Sequence, residues 1–252
     1  MAFVVKNTTF YGILDLVAPF SCRGCGQLGA ILCGRCKKHN TGHILEICPR
    51  CRKNHEMCFC DVPVYAVSYR EGLLVDLVED YKYKSIRQAS SVLAELLDVA
   101  VPKVGSSVAV VPLPTISKHI RERGFDHMKL VAKQFVKLRR RAKSCYGKTF
   151  RQYQNVCENY SNQFAEEKSD YQLEIVLERD NNTTQVGSDR ETRIKQAKEA
   201  YRLHKHVKID PDKTYLLLDD IWTTGASMEA AIGVLKDAGA KKIIGAVLLA
   251  GR

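Results

Sequence analysis

The chain has 252 residues, of which 45% are hydrophobic and 27% charged, and its formal net charge is +11. That length holds one sizeable core plus a small satellite module, with an ordinary globular composition; no uninterrupted apolar run is long enough to span a bilayer. The basic surplus suits polyanionic partners: nucleotides, nucleic acid or phosphate esters.

In residues 10–20, Phe10, Ile13, Leu14 and Val17 fall near helical spacing and predict a short amphipathic helix. Lys6, Asp15 and Pro19 interrupt the pattern of a secretory signal, so the expected location is the cytoplasm. Residues 21–62 carry eight of the ten cysteines, as Cys22-x-x-Cys25, Cys33-x-x-Cys36, Cys48-x-x-Cys51 and Cys58-x-Cys60. This stretch has few core positions and needs a staple, and a reducing compartment argues against disulfides. A C-x-x-C turn brings two thiolates onto one ion, and zinc takes four in a tetrahedron. The expected structural zinc ligands are therefore Cys22, Cys25, Cys33, Cys36, Cys48, Cys51, Cys58 and Cys60. Sequential and interleaved pairings both satisfy the spacing, and His39, His43 and His55 lie close enough to replace a cysteine. A site closed by four cysteines has no open coordination position, so no catalysis is assigned to it.

Composition changes at residues 61–63, which divides the chain into a cysteine module, 1–62, and a second domain, 63–252. In the second domain, residues 64–69 read as a strand and 72–84 and 86–100 as amphipathic helices. Residues 108–111 form a short apolar strand stopped by Pro112 and Pro114, and 124–138 a further helix. Residues 139–170 are polar and basic, without a clear period, and are expected to be an inserted loop. There Lys137, Arg139, Arg140, Arg141, Lys143, Lys148 and Arg151 surround Tyr146, Phe150 and Tyr153. Such a pattern can track single-stranded nucleic acid, or can be a solvated loop. A capping box at Ser188 and Glu191 predicts a helix to about residue 201. A strand at 215–218, a loop at 219–227, a helix at 226–238 ended by Gly239 and a strand at 243–250 close the chain. Strands alternating with helices predict an α/β fold with a mostly parallel sheet.

The most informative stretch follows the strand at 215–218: Asp219-Asp220-Ile221-Trp222-Thr223-Thr224-Gly225-Ala226-Ser227. Two acids precede a small, hydroxyl-rich turn that opens a helix, where free backbone N–H groups receive anions. Adjacent carboxylates would repel a phosphate, unless they accept hydrogen bonds from sugar hydroxyls or face magnesium. A phosphorylated ribose carries vicinal hydroxyls and a phosphate together, so it fits this arrangement.

The stretch resembles the signature of type I phosphoribosyltransferases, which bind phosphoribosyl pyrophosphate (PRPP). The resemblance implies that Asp219 and Asp220 take the ribose hydroxyls and that Thr223, Thr224, Gly225, Ala226 and Ser227 hold the 5-phosphate. It also implies Mg²⁺ with PRPP, and a parallel sheet with helices on both faces. Val110-Val111-Pro112-Leu113-Pro114 with Arg121-Glu122-Arg123-Gly124-Phe125-Asp126 is similar to a stretch of the ComF family. So are Lys82-Tyr83-Lys84, Thr184-Gln185-Val186-Gly187 with Arg190 and Arg193, and the double zinc-ribbon start. Leu113, Pro114, Arg121 and Arg123 are then expected at the pyrophosphate, with Lys118 beside them, and Lys82 and Lys84 can reach phosphates or be solvated. The ComF likeness implies a part in DNA uptake during natural transformation, with single-stranded DNA or a helicase-like protein as partner. Two other readings fit the same residues: a non-catalytic nucleic-acid- or partner-binding protein that keeps the PRPP site, and a nucleobase-salvage phosphoribosyltransferase.

Overall fold

The structure is a computed structural model and describes residues 20–41, 44–48, 51, 62–105, 107–142, 170–179 and 200–251. The elements run α1 (Gly34–Asn40), β1 (Leu45–Ile47), β2 (Val64–Tyr69), α2 (Leu73–Tyr83), α3 (Ala89–Ala100), β3 (Ser107–Pro112) and α4 (Ser117–Arg123). They continue with α5 (His127–Ala142), β4 (Asp170–Leu173), β5 (Leu177–Arg179), β6 (Tyr201–Leu203), β7 (Thr214–Trp222), α6 (Ala226–Asp237) and β8 (Lys242–Ala250).

Six strands form a sheet of order β1-β2-β8-β7-β3-β4, in which only the β1–β2 pair is antiparallel. The apolar runs of β3, β7 and β8 are buried on both faces, as central strands of a parallel sheet are. Alternate residues of β7 serve opposite faces. Leu216 and Leu218 join a core with α2, α3 and α5, whereas Tyr215 and Leu217 join one with α6. The mixed α/β fold with a mostly parallel sheet and helices on both faces is thus the one expected. A separate β5–β6 ribbon pairs Leu177–Arg179 with Tyr201–Leu203.

The chain leaves β3 toward α4 and α5 on one face and leaves the adjacent β7 toward α6 on the other. That divergence opens a crevice at the carboxyl ends of the two strands, where open α/β sheets bind ligands.

Several boundaries differ from the sequence reading. The strand predicted at 215–218 extends through Trp222, so Asp219 and Asp220 lie in β7 rather than in a loop; ladder bonds to β8 reach Trp222 and override the polar composition. The helix predicted to end at 138 continues to Ala142, so Arg139, Arg140 and Arg141 are helical and not part of an inserted loop, and Asp170 already opens β4. Arg139 falls on the stripe of Met128, Val131, Ala132 and Phe135 that faces the core. Its guanidinium lies between the rings of Phe135 and Tyr171, 5.1 and 5.3 Å away, pairs with Asp98 and donates to the Val101 carbonyl at 2.6 Å. It is a packing residue and not a nucleic-acid contact. Tyr201 begins a strand instead of ending a helix. Residues 10–19, Cys58, Cys60, His43, His55, the 143–169 part of the expected insertion with its aromatics, and the 184–193 stretch lie outside the described residues.

The first cysteine knuckle packs onto the sheet-bearing part of the chain. Cys22, Leu32 and Cys33 are buried in the same core as Leu74, Leu77 and Tyr81 of α2. Arg23 Nε lies 2.8 Å from Asp80 of α2, and Lys37 of α1 pairs with Glu95 of α3. β1 extends the sheet at the β2 edge.

Candidate functional site

Cys22, Cys25, Cys33 and Cys36 bring their sulfurs within 4.8 Å of one another. Cys25 Sγ and Cys33 Sγ are 3.7 Å apart, near the ~3.8 Å edge of a tetrahedron with metal–sulfur bonds of about 2.3 Å. The thiols also need a cation. Burial acts to raise Cys22, but N–H donors from Cys33, Cys25 and Gly24 bring it down to about 6. Burial and three neighbouring thiols push Cys36 up to about 12. A zinc ion would remove that conflict, so the residues fit the expected metal. Cys48 and Cys51 of the second set also lie near each other, the Cys51 N–H pointing at Cys48 Sγ at 3.4 Å.

The crevice at the ends of β3 and β7 is a cavity of about 130 Å³. Leu113, Pro114 and Thr115 come from the chain after β3, Asp219 and Asp220 from β7, His127 from the first turn of α5, Arg123 from the last turn of α4, and Arg179 and Tyr201 from the β5–β6 ribbon. A smaller cavity of about 30 Å³ lies inside the turn that Thr223, Thr224, Gly225, Ala226 and Ser227 form, and Asp219 and Ser227 border both.

Strand alternation assigns the two acids different surroundings. Asp220 shares the parity of Leu216 and Leu218, and its Oδ2 meets Lys82 Nζ of α2 at 2.5 Å and His127 Nε2 of α5. Asp219 shares the parity of Tyr215 and Leu217 and borders the turn before α6. Burial acts to raise Asp220, but the hydrogen bond from His127 and the Lys82 charge outweigh it and hold this carboxyl well below its ordinary range. Burial, and then the Asp220 charge, push Asp219 up to about 7. The site therefore pairs one firmly ionised carboxylate with one poised near neutrality.

The turn is built for close approach. Gly225 caps α6 at φ 78°. A side chain there would strike the Trp222 indole, with Cβ 2.9 Å from Cε2, so only glycine fits. The Ala226 N–H points at Thr224 Oγ1 at 3.3 Å, and the Glu229 N–H closes onto the Gly225 carbonyl at 2.8 Å. N–H groups of the first helical turn have no intrahelical partner, and the helix dipole favours an anion there. Beside the turn, where Tyr201 packs against Ala226 and Ala230 of α6, Arg179 Nη1 donates to Tyr201 Oη at 3.2 Å, and burial keeps the Tyr201 phenol above its ordinary range as a neutral hydroxyl.

Chemically, the crevice offers carboxylates that accept hydroxyl hydrogens, a cradle for one phosphate at a helix start, and the cationic side chains of Arg123 and Arg179 in its lining. Leu113, Pro114 and Arg123, expected near an anion, line it, whereas Arg121 is exposed on α4 and is not a lining residue. Lys82 reaches the carboxylate Asp220 rather than an open phosphate position, and Lys84 pairs with Asp80 at 2.7 Å. His127, His119 and Tyr201 are lining residues that the sequence reading did not single out. His127 is 93 positions from Asp220, and no local motif ties the two. Its place at the head of an amphipathic helix was the one available signal.

Residues 157–252 match the family described as the phosphoribosyl transferase domain. The match covers β4 to β8 with the two acids and the turn, while β2, β3, α2 and α5, which complete the sheet and the crevice, precede it. The chain thus carries a phosphoribosyltransferase domain behind a cysteine cluster compatible with a zinc ribbon. A search of curated proteins finds none that matches the chain. Among the described residues no helix is long and apolar enough to cross a membrane.

Proposed function

We propose that the crevice binds PRPP with Mg²⁺ and transfers its ribosyl phosphate to a nitrogen nucleophile. Asp219 and Asp220 accept hydrogen bonds from the ribose 2- and 3-hydroxyls. Thr223, Thr224, Gly225, Ala226 and Ser227 hold the 5-phosphate at the start of α6. Leu113, Pro114 and Arg123 face the pyrophosphate, with Arg121 reaching it only from the outer side of α4. The observation that carries this reading is the position of Asp219, which borders both the crevice and the small cavity of the turn before α6. A ribose 5-phosphate carries hydroxyls and a phosphate on one small molecule, which this juxtaposition requires.

In the transfer, the acceptor nitrogen forms a bond to ribose C1 as the C1–O bond to pyrophosphate breaks, and the electron pair leaves with pyrophosphate. Positive charge grows on the sugar and negative charge on the leaving group, so fixed carboxylates and cations stabilise the transition state at opposite ends. Magnesium, arriving with PRPP, supplies charge neutralisation at the pyrophosphate.

The ComF-like stretches around Lys82, Pro112 and Arg123 further support membership of that family and, through it, a part in handling incoming DNA in the cytoplasm, with single-stranded DNA or a helicase-like protein as partner. Zinc in Cys22, Cys25, Cys33 and Cys36, and in the set made of Cys48, Cys51, Cys58 and Cys60, serves as structure, with 1–62 and 63–252 as the two domains. The test is PRPP-dependent release of pyrophosphate across a panel of nitrogen acceptors. Acceptor-dependent release that stops in Asp219→Asn supports transfer. Tight PRPP binding without release from any acceptor would instead favour a ligand-sensing protein.

A further inference from the structure

We propose that His127 is a positioning residue of this site: as the Nε2–H tautomer it links Arg123, on the pyrophosphate side, to Asp220, on the ribose side. This inference rests on the PRPP reading for its purpose, though not for its geometry.

The imidazole sits between two groups of opposite character. Nδ1 lies 3.0 Å from Arg123 Nη1 and 3.3 Å from Thr115 Oγ1. A guanidinium has only donors, so Nδ1 meets it with a lone pair and carries no hydrogen. The hydrogen is therefore on Nε2, which faces Asp220 Oδ2 and donates to it. Thr115 lies close enough to share the Nδ1 lone pair.

The ring has little freedom to exchange these roles. His127 is 5% exposed. The Tyr81 hydroxyl donates to the His127 carbonyl at 2.7 Å, and the Tyr81 ring packs at 6.4 Å. Arg123 is itself held, with its guanidinium 5.6 Å over the Tyr83 ring.

Asp220 shows what the link achieves. Lys82 and His127 both bind Oδ2, which fixes the carboxylate plane and leaves Oδ1 as its remaining acceptor. One oxygen is held by protein, and the other is aimed by that restraint at a ribose hydroxyl. Without the imidazole, Asp220 keeps one flexible partner and Arg123 loses its inner anchor. Glutamine can reproduce both bonds, because a carboxamide offers an N–H donor and a C=O acceptor; leucine can reproduce neither.

The test has two readouts. In nitrogen-15 histidine-labelled protein near neutral pH, the resonance pair that disappears in His127→Gln should show a protonated Nε2 and a bare Nδ1. In calorimetric titration with PRPP and Mg²⁺, His127→Leu should bind roughly tenfold or more weakly, and His127→Gln within about threefold of the parent. A hydrogen on Nδ1, parent-like binding by His127→Leu, or equal losses in both variants would overturn the proposal. If the parent protein itself fails to bind PRPP, the PRPP reading fails, and the tautomer alone then judges the link.

Discussion

Lys82 Nζ and Asp220 Oδ2 lie 2.5 Å apart, and both side chains are nearly buried. The pair joins α2 to the carboxyl end of β7, so the lysine supplies charge to the Asp220 carboxylate instead of contacting solvent. Removing one partner of such a pair leaves an uncompensated buried charge. Lys82→Met should therefore lower both thermal stability and PRPP affinity, the latter roughly tenfold. Calorimetric unfolding and titration of the same preparation check both effects.

Asp219 gives a pH signature. Its folded-state value is pushed up to about 7 from an ordinary 3.8. Below both values the carboxyl is neutral folded and unfolded; between them the folded state keeps a proton that the unfolded chain has released. This group's stabilising contribution is thus present at low pH and lost as pH rises through about 7. Asp219→Asn removes the dependence. Its advantage in unfolding midpoint over the parent should be near zero in acid, grow as pH rises from 3.8 to about 7, and level off above that, while PRPP affinity falls. Melting curves across that range measure it.

Gly225 and Trp222 offer a direct probe of the turn, because Trp222 is the only tryptophan in the chain. Gly225→Ala places a Cβ against the indole at a positive φ. The expected result is a shifted Trp222 emission and loss of PRPP binding, in a protein whose far-ultraviolet circular dichroism matches the parent. An unchanged emission with parent-like affinity would contradict the cradle geometry.

The features of the fold and site that are legible in the sequence are those with local signals. The strand at Val64–Tyr69 falls where β-branched and aromatic residues predict it, and α6 ends just before Gly239, which has φ 100°. Asp219, Asp220 and the turn after them form one contiguous string. The partners of Asp220 were not legible as such, since Lys82 and His127 reach it only once the sheet has formed. Arg139 shows a second limit. Its composition reads as a solvated basic run, but helical phase places it on the core face beneath Tyr171, a contact that exists only after β4 pairs with β3.

Arg139 accordingly predicts a stability effect without a ligand effect. Arg139→Ala removes a stacked guanidinium, its pairing with Asp98 and its bond to the Val101 carbonyl, which should cost about 2–4 kcal/mol. Arg139→Lys should recover little, because an ammonium cannot reproduce the planar stacking and forked donors. PRPP affinity in both should stay within about twofold of the parent, since the residue lies away from the crevice.

Metal removal tests the connection between the knuckle and the crevice. Cys22 and Cys33 share a core with α2, Arg23 pairs with Asp80, and α2 delivers Tyr81 and Lys82 to His127 and Asp220. Chelation of zinc, followed by release assay and thermal melting, should lower the midpoint and weaken PRPP binding together. A metal content near zero in freshly purified protein would remove the zinc assignment.

In the proposed function, Asp219 and Asp220 form a working ribose-phosphate site with the turn before α6. The direct test is calorimetric titration of the 252-residue protein with PRPP and Mg²⁺, beside the Asp219→Asn/Asp220→Asn double variant. The parent should show saturable one-site binding, and a folded double variant none. Absence of binding by the folded parent, or equal binding by both proteins, would contradict it.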